Sequence, residues 1–539
     1  MERMELDAVV VGAGFSGLYM LHKLRSQGLR VKAFESEPGV GGTWYKNRYP
    51  GARCDSESEF YCYSFSDEIL EEWEWSEKFP AWDEILRYLN YVTDKLNLRE
   101  DIILSTRIDT ARYDETTERW TLATSDGQTV TTQHIVMAVG PLSAAPIMPN
   151  IKGTDKFGGE SYHTGAWPHD PVSYKGKRIG LIGTGSSGSQ VLPVVAKEAK
   201  EVYVFQRTPP YVTPARNRPL DPEYIRDVKA NYRDLWDRAR NSSRGIPYNA
   251  DPRSAVKTSK EDREELFESL WQAGGNQFIR KSFHDIFTNQ DSNDILVDFV
   301  HRKIDELVDD PKVAEKLKGH DYPIGTKRPV TTDGYYEAFN RDNVTLVDVR
   351  ADPISEITEK GVKTGTAEYE LDMLVYASGF DSSTGPFTRM DIQSKDGTPL
   401  KEVWKDGVRT YLGLTVPGFP NMYMICGPQS PAILSNAPPC LEQGVEWISD
   451  CIEYMKKNDI AALEADSQKA VEWGELCNEL VEHTLIPKAK TSWFMGHNVP
   501  GKPKEILGYI GGLNKFGDLI DDVASSGYED FDLRRKSGS

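Results

Sequence analysis

Twice along this chain a short apolar run stops at a glycine-rich turn, continues as apolar positions spaced like one face of a helix, and resumes as a second apolar run. The first instance comprises residues 8–11, the turn Gly12-Ala13-Gly14-Phe15-Ser16-Gly17, a helix carrying Leu18, Leu21 and Leu24, and a strand at 31–34. The second comprises 178–182, the turn Gly183-Thr184-Gly185-Ser186-Ser187-Gly188, a helix through 191–199, and a strand at 202–205. Each reads as one βαβ unit. Between them, from about 102 to 138, the pattern changes to short alternating strands. Segments 120–123 and 129–132 flank Ser125-Asp126-Gly127, which predicts a β-meander.

From about 209 to 322 the strand patterns give way to amphipathic helices. The clearest starts at Asp221 as cap with Pro222 in the first helical position, and it carries Ile225, Val228, Tyr232, Leu235 and Trp236 on one face. Strand patterns return at 344–349 and 374–380. Helices follow over about 441–457 and 467–484, then a loop at 493–503 and a tail, 534–539, that reads as disordered. The fold class is α/β, with two Rossmann-like dinucleotide-binding domains and a helical insertion. The expected division is a first dinucleotide domain at 1–140 resumed at 381–539, a second at 150–208 resumed at 323–380, and the insertion at 209–322.

Charge narrows the partners. With 64 Lys and Arg against 83 Asp and Glu, the net charge of −19 disfavours nucleic acid and anionic lipid surfaces. No run of 18 apolar residues is present and the amino terminus has no basic leader, so the expectation is a cytoplasmic protein with no membrane partner and no reason to be more than a monomer. The six cysteines show no CxxC and no zinc-ligand spacing, and they read as free thiols, with no metal site.

The two turns carry the chemistry. A glycine turn between strand and helix brings backbone N–H groups to a pyrophosphate, which the helix dipole also favours. Gly12, Gly14, Ser16 and Gly17 fit this role, and Glu35 at the end of the second strand suits two ribose hydroxyls while repelling a 2'-phosphate, so this site takes FAD or NAD. The turn from Gly183 through Thr184, Gly185, Ser186 and Ser187 to Gly188 has the same logic, but its second strand ends in Gln206-Arg207-Thr208, where an arginine suits a 2'-phosphate; this site takes NADPH. A protein with FAD at one site and NADPH at the other moves a hydride from nicotinamide to flavin.

Two further stretches point to what the reduced flavin does. Residues 41–55 read GGTWYKNRYPGARCD, and residues 157–168 fit FxGxxxHxxxW followed by Pro through Phe157, Gly159, His163, Trp167 and Pro168. Both resemble the fingerprints of Baeyer-Villiger monooxygenases, and the likeness extends through 205–209, 327–329, 377–381 and 493–503, covering nearly the whole chain. The resemblance implies conversion of a hydrophobic ketone to an ester or lactone with NADPH and O2 through an FAD C4a-peroxide. It implies Arg328 as the fixed cation, Asp55 as the carboxylate that holds it, and Lys327 beside Arg207 and Thr208 at the 2'-phosphate. It further implies Trp493 closing over bound NADP, contacts to FAD from Thr43, Trp44, Tyr61 and the Arg53 stretch, and Ile108 at the adenine. His163 is read as positioning the two domains rather than as a base, with Trp167 packed in the same joint. Lys46 departs from the aromatic residue many relatives carry there, and the loop at 427–434 is the expected wall of the ketone pocket.

Two rival enzyme classes and one non-catalytic class remain. A nitrogen- or sulfur-oxygenating flavin monooxygenase uses the same cofactors, although Trp167-Pro168 argues against it. A flavin disulfide reductase needs closely spaced cysteines, and Cys54 and Cys62 are too far apart for CxxC chemistry. An NADPH-sensing module would need neither Arg328 nor Asp55.

Overall fold

A computed structural model of the chain describes residues 3–143 and 146–536. β1 (Arg3–Val11) runs into the first glycine turn, the helix Phe15–Ser26 follows with Leu18, Leu21 and Leu24 buried as read, and β2 (Val31–Phe34) returns parallel to β1. Val9 and Val10 are both buried, so β1 is covered on both faces, as a parallel strand requires. β3 (Ile102–Ile103) extends this parallel edge. The meander then forms from β4 (Ile108–Asp114), β5 (Arg119–Thr124) and β6 (Thr129–Met137), and its last strand lies parallel to β1.

The second unit holds β7 (Glu160–His163), β8 (Arg178–Ile182), the helix Ser186–Val195 and β9 (Glu201–Gln206). That helix begins at the turn itself and stops four residues short of the sequence expectation. The helical region is not free of strand: β10 (Val212–Thr213) at its start pairs with β11 (Val330–Thr331) beyond its end, which closes the base of the insertion. The helix begun at Asp221 is two helices, Pro222–Ala230 and Tyr232–Arg240. Asn231 breaks it, because its amide turns back to the carbonyl of Asp227 at 2.8 Å and competes with the helical backbone. Val228, Tyr232 and Trp236 still share the buried face, with Ile225 and Leu235 only partly covered.

β12 (Val344–Asp348) joins the second sheet, a small antiparallel sheet follows from β13 (Ile354–Ile357), β14 (Gly361–Thr364) and β15 (Glu368–Glu370), and β16 (Met373–Tyr376) completes the second sheet in the parallel order β12-β9-β8-β16-β7. β17 (Asp391–Gln393) and β18 (Met422–Met424) return to the first sheet, on β4 and β6. The tail is not disordered through Arg534: β19 (Ile460–Ala465) pairs antiparallel with β20 (Phe531–Arg535), because Phe531 is buried and Leu533 packs on the adjoining core. Ser537, Gly538 and Ser539 lie outside the described residues. Among the described residues no helix is long and apolar enough to cross a membrane.

Candidate active site

The two turns are built alike. Gly12 and Gly183 adopt φ of +107° and +106°, and a Cβ at either would lie 2.6 Å or 2.5 Å from the carbonyl oxygen of Ala138 or Ala377. Gly17 and Gly188 pack against the same turns, where a Cβ would meet the carbonyl oxygens of Gly12 at 1.9 Å and Gly183 at 2.2 Å. The middle glycines differ. Gly185 has nothing within 4 Å of its Cβ position, and Gly14 faces only the backbone of Gly41 and Gly42. Packing thus demands the outer glycines, whereas the middle ones leave the helix N-termini open. Neither helix has a side-chain cap, so the N–H groups that a pyrophosphate would engage remain available.

The strand ends set the two sites apart. Glu35 is buried at the mouth of the first turn, where it accepts hydrogen bonds from the N–H groups of Ala13 at 2.8 Å and Glu37 at 3.0 Å. Ile108 is buried in a cluster with Val11 and Phe34. At the second turn Arg207 is exposed, and Lys327 lies over the ring of Tyr322 at 4.1 Å. Burial, and then the charge of Arg207, push the Lys327 amine down to about 8. Asp321, whose field reaches Lys327, is engaged by Arg350. Thr184 donates to the carbonyl of Thr208 at 3.2 Å, tying the turn to this strand end; Ser186 is exposed and Ser187 partly so. Two cations with no carboxylate in ion-pair distance among the described residues fit a phosphate dianion.

The segment 41–55 runs from the first turn to the second. Gly41 donates to the carbonyl of Ala13 at 3.0 Å. Thr43 opens a short helix, and the Trp44 indole donates to the Tyr61 hydroxyl at 3.1 Å, with Phe15 edge-on to Tyr61 at 5.3 Å. Lys46 pairs with Glu37 at 3.0 Å, so the departure at this position is accommodated by an ion pair beside Glu35. Farther on, the Tyr49 hydroxyl donates to Gln190 at 2.8 Å, Gln190 donates to the carbonyl of Arg53 at 3.2 Å, and Gly51 packs on the backbone of Gln190. Trp44 therefore belongs to the core of the first unit, while Tyr49 and Ala52 belong to that of the second. Gln190 was not legible as a docking residue, since an uncharged residue in a helix gives no sequence signal. The Arg53 guanidinium turns to Glu77 at 2.9 Å and the carbonyl of Phe79 at 3.1 Å.

Asp55, at the end of that segment, accepts two parallel bonds from Arg328, from Nε at 2.8 Å and Nη2 at 2.7 Å. The pair sits in a cleft, with Arg328 still 44% exposed, and Asp55 holds the guanidinium above its ordinary pKa. The C-terminal loop is anchored beside it: buried Ser492 donates to the carbonyl of Thr326 at 2.8 Å, which sets the partly buried Trp493 against Phe494. His163 accepts the N–H of Gly165 at Nδ1 (2.9 Å), so Nε2 carries the proton toward Ser378 at 3.2 Å, and Ser378 donates to the carbonyl of Ile147 at 2.6 Å. Burial lowers the imidazole pKa, and this histidine staples the two chain segments that link the sheets. Trp167 packs in the core of the second unit, 5.2 Å from the ring of Tyr162. The six cysteines are free, and burial pushes up the thiols of both Cys54 and Cys62, the opposite of what a disulfide reductase needs.

Two open dinucleotide turns, one ended by a carboxylate and the other by cations, with an ion-paired arginine in the cleft, define a two-nucleotide flavoprotein oxidoreductase. Residues 6–274 match the pyridine nucleotide-disulphide oxidoreductase family. A Baeyer-Villiger monooxygenase from Pseudooceanicola batsensis is 43% identical over 527 residues, spanning 97% of this chain and 95% of that protein. Phenazine N-monooxygenase PhzNO1 from Lysobacter antibioticus is 42% identical over 541 residues, spanning 100% and 99%. A crystal structure of OTEMO in complex with FAD and NADP superposes with a TM-score of 0.94 at 39% identity, covering 98% of this chain and 99% of that one. The chain belongs to the Baeyer-Villiger monooxygenase family.

Proposed function

We propose that this protein uses NADPH and O2 to insert an oxygen atom beside the carbonyl of a ketone with an apolar body, giving an ester or lactone. Bound FAD supplies the oxygen-activating redox chemistry and NADPH the hydride. Glu35 would receive the FAD ribose, and the turn through Gly12, Gly14, Ser16 and Gly17 its pyrophosphate, with Thr43, Trp44 and Tyr61 along the flavin side. Arg207, Thr208 and Lys327 would hold the 2'-phosphate of NADPH over the turn from Gly183 to Gly188. Trp493 would close the cleft and exclude water from it. The same reading divides the chain into a FAD domain at 1–140 and 381–539, an NADP domain at 150–208 and 323–380, and a helical insertion at 209–322. It also places the protein in the cytoplasm as a monomer, in keeping with six free thiols and a net charge of −19.

The bidentate Asp55–Arg328 pair carries the reading. An arginine keeps its proton at any working pH, so it presents a fixed positive charge where negative charge develops during oxygen transfer. Asp55 consumes Nε and Nη2 and thereby fixes the plane of the guanidinium, leaving the Nη1 donors uncommitted. Arg328→Ala is expected to retain FAD and to consume NADPH while ester formation falls by about 100-fold or more. Product analysis on a ketone panel checks it, and substantial ester from the variant overturns the assignment. Because one similar relative is named for nitrogen oxygenation, the panel includes a sulfide and an aromatic nitrogen heterocycle. Exclusive conversion of those two would favour heteroatom oxygenation.

A further inference from the structure

The cleft beside Arg328 holds more positive charge than its carboxylates balance. Arg244 follows the helix Tyr232–Arg240, and Arg280 ends the short helix Gln277–Arg280. Arg280 Nη1 donates to the carbonyl of Arg244 at 3.3 Å, which also accepts the N–H of Asn436 at 2.8 Å, just beyond the loop at 427–434. The Arg244 guanidinium lies 5.9 Å from the ring centre of Phe287, and Phe287 packs so closely on Gly325 that a Cβ there would lie 2.2 Å from the ring. Gly325 is three residues before Arg328. On the other side Asn276 donates to the carbonyl of Asp55 and accepts the N–H of Arg280 at 2.9 Å. Arg280 is thus tied through Asn276 to Asp55, and Arg244 through Phe287 to the segment that carries Arg328.

Neither arginine has a carboxylate within ion-pair distance among the described residues. Two carboxylates act on Arg280 through space, and both are engaged: Asp55 by Arg328, and fully buried Glu57 by the Tyr248 hydroxyl at 3.0 Å, with Lys78 at 4.0 Å. Lys281 adds another cation, 4.8 Å from the Tyr248 ring centre. Burial, then the charge of Arg244, push Arg280 down to about 10, which leaves it protonated at neutral pH, and burial lowers Arg244. Both residues are partly accessible. A desolvated cation without a counter-ion is costly, and such a site is expected where a ligand brings the missing anion.

We propose that the ketone substrate carries a carboxylate, which Arg244 and Arg280 receive while the carbonyl to be attacked lies at Arg328. Planar guanidinium forks match a carboxylate's two oxygens, so the pair fixes which end of the substrate reaches Arg328. The inference rests on the ketone-oxygenating function proposed above. The test uses (2-oxocyclohexyl)acetic acid and its methyl ester, with kcat/KM read from lactone formation and Kd from calorimetry on the enzyme loaded with FAD and NADP. The wild type is expected to prefer the acid by about tenfold or more, the worth of one charge-assisted hydrogen bond. Arg244→Met with Arg280→Met abolishes that preference without changing KM for NADPH, and Arg280→Lys keeps part of it. Equal efficiency on acid and ester in the wild type, or a preference that survives in the double variant, overturns the inference. Tight, selective binding of the acid with no lactone from any ketone would instead overturn the oxygenation itself.

Discussion

Lys327 and Arg207 raise each other's cost, and a phosphate dianion relieves both. Because burial and Arg207 lower the Lys327 pKa to about 8, its amine is charged below that pH and loses its proton above it. The KM for NADPH is therefore expected to rise as pH increases through about 8, while the KM for NADH stays flat. Arg207→Ala should raise the KM for NADPH by about tenfold and that for NADH by less than about twofold. It should also move the pH step upward, since Lys327 is freed of a neighbouring cation. Steady-state kinetics with both nucleotides decide this, and equal effects on the two would remove the 2'-phosphate role. Glu35 and Arg207 were legible in the sequence because each stands at the end of the second strand of its βαβ unit. The partnership of Asp55 with Arg328 is different in kind: 273 positions separate them, and without the resemblance nothing local would have joined them.

At the level of the element, the glycine turns separate folding from binding. A Cβ on Gly188 would sit 2.2 Å from the carbonyl oxygen of Gly183, so Gly188→Ala is expected to destabilise the protein by about 1–3 kcal/mol. Gly185 has open space at its Cβ position, so Gly185→Ala should change stability by less than about 0.5 kcal/mol. It should nonetheless raise the KM for NADPH by about tenfold, because the backbone there must approach the pyrophosphate. Thermal denaturation beside NADPH kinetics separates the two effects, and a stability loss at Gly185 equal to that at Gly188 would show that both glycines serve packing. Element type was readable wherever apolar spacing was long and regular. It failed at Asn231, where a side-chain amide breaks a continuous amphipathic pattern, and at the tail, where Arg534 and Arg535 pair with β19 despite their polarity.

For the molecule as a whole, the two dinucleotide units are joined by contacts between residues far apart in sequence: Tyr49 to Gln190, Arg328 to Asp55, and Asn498 to the carbonyl of Phe380. His163 locks the linkers through Ser378 and Ile147. His163→Ala should therefore leave FAD bound yet lower by several-fold the share of consumed NADPH that appears as oxygenated product, because hydride donor and flavin lose alignment. Product-to-NADPH stoichiometry measures it, and an unchanged ratio would reduce His163 to a local cap for Gly165. The sequence by itself determined the two nucleotide turns, the carboxylate and the arginine that distinguish them, and the class of fold, since those depend on residues close together along one βαβ unit. Only the tertiary structure decided that Gln190 docks the segment 41–55, that Asp55 meets Arg328, and that Arg244 and Arg280 lie beside each other with no counter-ion among the described residues. Charge balance is a property of neighbours in space, and chain spacing carries no record of it.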